Sequence, residues 1–156
     1  MRRSSVPLQG RHTETGQAAV ELMLTTLFVV FAIFSTVEYM MILYTYSVMA
    51  DAAKEGVRYA VVHGCGTTNC SGPSCPAGYS PCGDTSGANV VAQVTNYAKL
   101  CLHNVSGITI NVNYLDGSAS SSSRVQVVIH YPYLSYFSLG WKPPTVNAAA
   151  EGRIIN

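Results

Sequence analysis

GQAAVELMLTTLFVVFAIFSTVEYMMILYTYSVMADAAKEGVRYAVV, from Gly16 to Val62, contains no proline and changes character along its length. Its first half is apolar apart from Glu21 and Glu38. A bilayer span needs about 20 apolar residues to cross a hydrocarbon core of roughly 30 Å. Leu22 to Leu43 reaches that length, so a span over residues 22–43 is expected. After Tyr46 the pattern turns amphipathic. Asp51, Lys54, Glu55 and Arg58 fall at i, i+3, i+4 and i+7, which makes one polar stripe on a helix. Asp51 with Lys54, and Glu55 with Arg58, are opposite charges three residues apart. Opposite them lie Val48, Ala52, Gly56, Tyr59 and Ala60. Ala52, Gly56 and Ala60 recur every fourth residue and let another element approach the backbone. The spacing predicts one helix over residues 17–63, about 45 residues or roughly 65–70 Å at 1.5 Å each. It leaves the bilayer and carries a domain on its small-residue side. His63-Gly64 is the expected stop, with Gly64 suited to a left-handed C-terminal cap.

The rest of the composition is consistent with a membrane segment joined to a small soluble domain. A chain of 156 residues holds one domain with a core and is short for two. The net charge is +1 and the Lys and Arg residues are scattered, so no basic face exists to bind nucleic acid. Arg2, Arg3 and Arg11 precede the apolar run and favour a cytoplasmic N-terminus, although Lys54 and Arg58 follow the run on its other side. A cleaved secretory signal would have an apolar region of about 7–15 residues ending in a small-residue site. The run here is longer, and Ser35 to Met41 offers no such site.

Five cysteines, Cys65, Cys70, Cys75, Cys82 and Cys101, fall in or just after a Gly- and Pro-rich loop over residues 64–86. With the C-terminal part outside the cytoplasm, these thiols meet an oxidising space and are disulfide candidates. The spacing does not fix their pairing. The expectation adopted here is that Cys101, on a helix, ties down one of the loop cysteines. A zinc site with His63 or His103 is the alternative. The loop spacings of four, four and six intervening residues lack the short Cys-x-x-Cys knuckle, so no metal and no thioredoxin-type redox site is expected.

Residues 87–102 read as a helix, with Val90, Val94, Tyr97, Ala98 and Cys101 on one face and Ser86 or Asp84 able to cap it. Ile108, Ile110, Val112 and Tyr114 alternate with polar residues as in a strand, and Val125, Val127, Ile129 and Tyr131 repeat the pattern. Asp116-Gly117 and a serine run form the loop between them. Thr145 to Ile154 supplies a third strand, though its alanines weaken the signal. Tyr133, Tyr136, Phe137 and Trp141 make the connection before it unusually aromatic. Such a segment is either a lid over the core or a surface for a partner or membrane interface. No nucleophile elbow, phosphate loop or His-Glu-x-x-His is present, and His63, His103 and His130 are isolated. Neither an enzyme nor a small-molecule substrate or cofactor is expected. The Asn-x-Ser triplets at Asn69 and Asn104 match a short pattern of low specificity.

Gly16-Gln17-Ala18-Ala19-Val20-Glu21 followed by the apolar run resembles a type IV prepilin processing site. With Val37-Glu38-Tyr39 and Ala52-Ala53-Lys54-Glu55-Gly56-Val57-Arg58-Tyr59-Ala60, the stretch resembles the TadE-like family of minor pilins, or pseudopilins, of the tight-adherence (Flp) type IV pilus system. The resemblance covers Gly16 to Val62 and is faint beyond. It implies cleavage after Gly16 by a prepilin peptidase on the cytoplasmic face, and a role in pilus assembly beside other pilins. Glycine lets the backbone lie extended in a peptidase cleft. Glu21 sits where lipid begins, and the resemblance implies that it meets the freed N-terminal amine of a neighbouring subunit. A glutamate snorkelling at the cytoplasmic interface is the simpler alternative. Glu38 faces a protein partner or polar cavity, or else the span ends near Val37. Two features depart from the major subunits: Gln17 can cyclise and lose its charge, and Leu22 replaces an aromatic residue. The large C-terminal domain favours a minor pilin.

The expected architecture is therefore α+β. A leader, 1–16, precedes a transmembrane helix, 17–63, that packs through Glu21, Glu38, Ala52, Gly56 and Ala60. It continues into a small pilin-like domain, 64–156, with a second helix and an antiparallel sheet of about three strands. The chain is expected in the bacterial inner membrane as a single pass, N-terminus cytoplasmic, and in the assembled pilus. A membrane-anchored extracytoplasmic binding module outside any filament is the alternative, and a thiol enzyme using the odd cysteine a third reading.

Overall fold

The structure is a computed structural model that describes residues 11–137 and 142–155. The elements run α1 (Arg11–Val62), α2 (Ala88–Cys101), β1 (Thr109–Tyr114), β2 (Arg124–Pro132) and β3 (Thr145–Arg153). The expected α+β architecture is present: a long apolar N-terminal helix, a second helix and a three-stranded antiparallel sheet in the order β1-β2-β3. The chain divides into two units, Met1–Tyr39 and Met40–Asn156.

In the first unit, α1 begins at Arg11, six residues before the expected start at residue 17, so Gly16 lies within the helix. Residues 16–37 are all exposed, among them Leu22, Leu27, Phe28 and Ile33. A water-soluble helix buries an apolar stripe. This one is long and apolar enough, by length and composition, to cross a membrane. Thr25 and Thr36 donate their hydroxyls to the carbonyls of Glu21 and Ala32, each at 2.8 Å, so both donors are satisfied within the helix.

The second unit is built on the rest of α1. The polar stripe forms as read: Lys54 pairs with Asp51 at 3.0 Å and Arg58 with Glu55 at 3.5 Å. On the other side Met49, Ala52, Ala53 and Ala60 are fully buried, and Val48 and Val57 nearly so. Gly56 marks the closest approach. A Cβ there would fall well inside contact of Val94 on α2 and 3.5 Å from Val127 on β2.

The sheet presents cross-strand rows to the helices. Ile129 lies between Ile110 and Ala148, Val127 between Val112 and Ala150, and Val125 between Tyr114 and Gly152. The central strand supplies the large side chains, and Val125, Val127 and Ile129 are fully buried. The alanines that weaken β3 as a strand signal have a packing reason, because α1 lies close to this edge. A Cβ at Gly152 would be 2.5 Å from Val57 Cγ1 and 3.1 Å from Val61. Beyond β3 the chain returns to the end of α1, where the Ile155 amide donates to the Val61 carbonyl at 3.1 Å.

The end of α1 differs from expectation. His63 N–H still donates to the Tyr59 carbonyl at 3.0 Å, and the His63 ring Nδ1 lies 2.9 Å from the same oxygen. Cys65 N–H then turns away to the Ala119 carbonyl at 2.9 Å. The chain leaves toward the β1–β2 loop instead of closing back on the helix, so the first left-handed glycine is Gly66, at φ +102°, not Gly64.

Candidate functional site

Glu21 stands on the exposed, apolar part of α1, five residues beyond Gly16 and with its carboxylate outside any core. Glu38 is half-buried while its neighbours from Phe31 to Val37, and Tyr39, are exposed. Ala52, Gly56 and Ala60 do serve close packing, but against α1's own domain: Ala52 and Ala60 have no exposure, and Gly56 is covered by Val94 and Val127. This is the small-residue side on which the sequence places the domain, and Val94 and Val127 fill it. The sequence reading missed Met49, Ala53 and Val57. They flank the small-residue line by one position, so the buried stripe is wider than it.

The cysteine loop is stapled to the core at several points. Cys65 is bonded to Cys75, and Cys70 to Cys82, with Cα separations of 5.5 and 5.1 Å. Cys101 is free and exposed. This corrects the expected tie between Cys101 and the loop. The backbone of the loop closes on itself, Ser71 pairing with Asp84 in a parallel bridge, and that brings the loop cysteines to one another. The Sγ atoms of Cys65, Cys75 and Cys82 lie within 4.8 Å of one another. Each is already bonded to sulfur, and a metal takes the thiolate, not the disulfide. Alkylating the folded, unreduced chain is accordingly expected to modify Cys101 and none of the loop cysteines, which peptide mass spectrometry would read directly.

Asp84 is the hub of this region. Its side chain accepts from Ser71 Oγ at 2.6 Å and from the backbone N–H groups of Ser86, Ala88 and Asn89 at 3.2, 2.9 and 2.8 Å. The residue at the N-terminal cap of α2 is Gly87, at φ +81°, which has no side chain to offer. The carboxylate three residues earlier takes the open amides of the first turn instead. Burial pushes the Asp84 carboxyl up, but the bonds from Ser71, Asn89, Ala88 and Ser86 outweigh it and hold the group well below the usual carboxylate range. The Asp84 carbonyl also accepts from Gly72 N–H at 2.7 Å, and Tyr114 O–H donates to the Ser71 carbonyl at 2.8 Å. Asp116 does comparable work at the other loop, accepting from Arg124 N–H at 2.8 Å and from its Nη2 at 2.9 Å.

The aromatic segment divides. Tyr131 and Tyr133 are core residues, at 5% and 2% exposure, while Tyr136 is 65% exposed and Phe137 38%. Tyr133 is thereby corrected from partner surface to core. Tyr136 and Phe137 keep an outward face, and Trp141 lies outside the described residues. Sequence reasoning did not anticipate the groove that Tyr136 borders, with Met41 and Tyr44 of α1 and Cys101 and Leu102 at the end of α2. Leu100, an aliphatic residue on the polar side of an otherwise amphipathic helix, is next in sequence to the groove's Cys101. Among the described residues, His63 Nδ1 lies 2.9 Å from the Tyr59 carbonyl and His130 Nδ1 lies 2.7 Å from Asn147 Oδ1.

Comparison with curated proteins and with solved structures finds no match. Comparison with family models finds one over the first half of α1 and most of its amphipathic continuation. Residues 16–58, which carry Gly16, Glu21, the apolar run and the Ala52–Gly56 packing face, match the family described as TadE-like protein, the family that this stretch of sequence resembles.

Proposed function

We propose that the chain is a minor pilin or pseudopilin that takes part in assembly of a tight-adherence (Flp) type IV pilus after a prepilin peptidase removes residues 1–16. The observation that carries this reading is the TadE-like match over residues 16–58, which begins at the glycine before the cut. Its partners are the peptidase, other pilins of the same system and the lipid of the inner membrane. The C-terminal domain stands outside the cytoplasm, where the paired loop cysteines are stable. Residues 22–43 supply a greasy rod for side-by-side packing, and no catalytic step is assigned to the chain.

Glu21 is central to the mechanism. A carboxylate at the lipid boundary is costly unless something offsets it. Cleavage after Gly16 creates an α-amine on Gln17, and the Glu21 carboxylate of one subunit binds that amine on the next. Glu21→Gln is expected to leave insertion intact and to cut fibre production roughly tenfold, since the amine keeps its charge and loses the group that offsets it. Fibre counts by electron microscopy equal to those of the unaltered chain would overturn the reading.

A second reading, a membrane-anchored binding module that is never cleaved, draws support from the helical backbone at Gly16. A peptidase needs an extended strand, so cleavage requires the first turns of α1 to unwind. Glycine eases this step, because it destabilises a helix by about 1 kcal/mol relative to alanine.

A further inference from the structure

The groove beside Tyr136 is open, holds about 410 Å³ and is walled by Met41, Tyr44, Cys101, Leu102, Leu134 and Tyr136. Its lining is more apolar than polar, with Thr45, His103, Asn104 and Ser135 as the polar members. Leu100, next in sequence to Cys101, is 86% exposed, and Leu134 is 51% exposed. The polar ends of the rings are held by backbone: Tyr44 O–H donates to the Cys101 carbonyl at 3.2 Å, and Tyr131 O–H to the Asn104 carbonyl at 2.7 Å. Leaving a leucine in water forgoes roughly 1.5–3 kcal/mol of burial, so a face with several such side chains calls for a cover.

The position of the groove along the chain says what covers it. Met41 belongs to the last turn of the apolar run over residues 22–43, and Tyr44 is the first residue past it. At 1.5 Å per residue, the helical wall of the groove stands within about one turn of the level where hydrocarbon gives way to water. Tyrosine rings are enriched at that level, and Lys or Arg stems reach from it toward phosphate. The end of α2 has that composition, with Lys99 and His103 bracketing Leu100, Cys101 and Leu102.

We infer that the face formed by Leu100–Leu102, Leu134–Tyr136 and the groove they share with Met41 and Tyr44 is a lipid-contact surface, which lays the C-terminal domain on the membrane from which α1 emerges. This rests on reading residues 22–43 as a membrane span.

Cys101 supplies the probe, being free and exposed beside the groove. A nitroxide on Cys101 of the full, unreduced chain, reconstituted in vesicles of phosphatidylcholine and phosphatidylglycerol, is expected to collide more with oxygen than with a water-soluble nickel chelate. Leu100→Asp alters a side chain that makes no part of the core, and it is expected to lower that ratio several-fold. A label at Cys101 that favours the nickel chelate overturns the inference, as does a label shielded from both reagents, which would mean that protein covers the face. A Val30→Cys, Cys101→Ser chain labelled in the same vesicles separates the two levels. Oxygen-favoured at residue 30 with nickel-favoured at Cys101 sinks the surface alone, and nickel-favoured at both sinks the membrane span.

Discussion

Gly56→Leu is expected to destabilise the C-terminal domain by about 3 kcal/mol, enough to lower its melting temperature by about 15 °C. The position joins three elements: α1 supplies the glycine, α2 the Val94 side chain and β2 the Val127 side chain. Val94 and Val127 have no exposure, and valine is stiff at χ1, so neither can swing aside into solvent. The substitution gains roughly 1 kcal/mol of helix propensity, which the overpacking exceeds. Gly56→Ala adds only the Cβ, and its cost is expected near 1 kcal/mol after the same helix gain. Near-ultraviolet circular dichroism of the full chain in detergent would follow the tyrosines of the domain through the melt. A Gly56→Leu chain that melts with the unaltered protein would show that α1 does not cross the sheet at this point.

Asp84→Ala is expected to cost about 3 kcal/mol at neutral pH. The change leaves the N–H groups of Ala88 and Asn89 without their acceptor and strands the Ser71 hydroxyl, which has no exposure. It also loosens the loop from α2, so hydrogen exchange should rise at residues 71 and 88–89 before the rest of the domain. The sign of the pH dependence follows from the depressed carboxyl. A group whose folded value lies below its unfolded value of 3.8 contributes fully above the unfolded value. That contribution is lost as pH falls below about 4 toward the folded value. The stability gap between the unaltered chain and Asp84→Asn is therefore expected to narrow from pH 7 to pH 2. A gap that stays constant over that range would contradict the role assigned to the carboxylate.

Most elements of the fold were legible in the residues because their periodicity was strong. The i, i+3, i+4, i+7 charge stripe placed the solvent side of α1, and the alternation from Ile108 to Tyr114 and from Val125 to Tyr131 placed the first two strands within a residue. Asp84 as a cap for α2 was legible too, since an acidic residue ahead of an apolar-periodic run offers its oxygens to the open amides. The pairing of the cysteines was not. It depends on the Ser71–Asp84 bridge, a contact across the loop that no local pattern encodes. The burial of Tyr133 was hidden for a similar reason. In an aromatic string, the residue that turns inward is set by the strand it follows, and β2 directs Tyr131 and Tyr133 to the same side while Tyr136 falls beyond the alternation. The start of α1 at Arg11 was missed because the resemblance put a boundary at Gly16, and a processing boundary is a chemical event with no need of a break in the helix.

The central claim is that the membrane segment is made as a precursor and trimmed, so that Glu21, the fifth residue of the trimmed chain, acquires a cationic partner in the new α-amine of a neighbouring subunit. N-terminal sequencing of the protein extracted from membranes of cells that carry the prepilin peptidase tests it most directly. The account predicts a chain that starts at Gln17 with its α-amine free, and reverts to the longer species when the peptidase is absent. A chain that still carries Arg2 and Arg3 in the presence of the peptidase would contradict it.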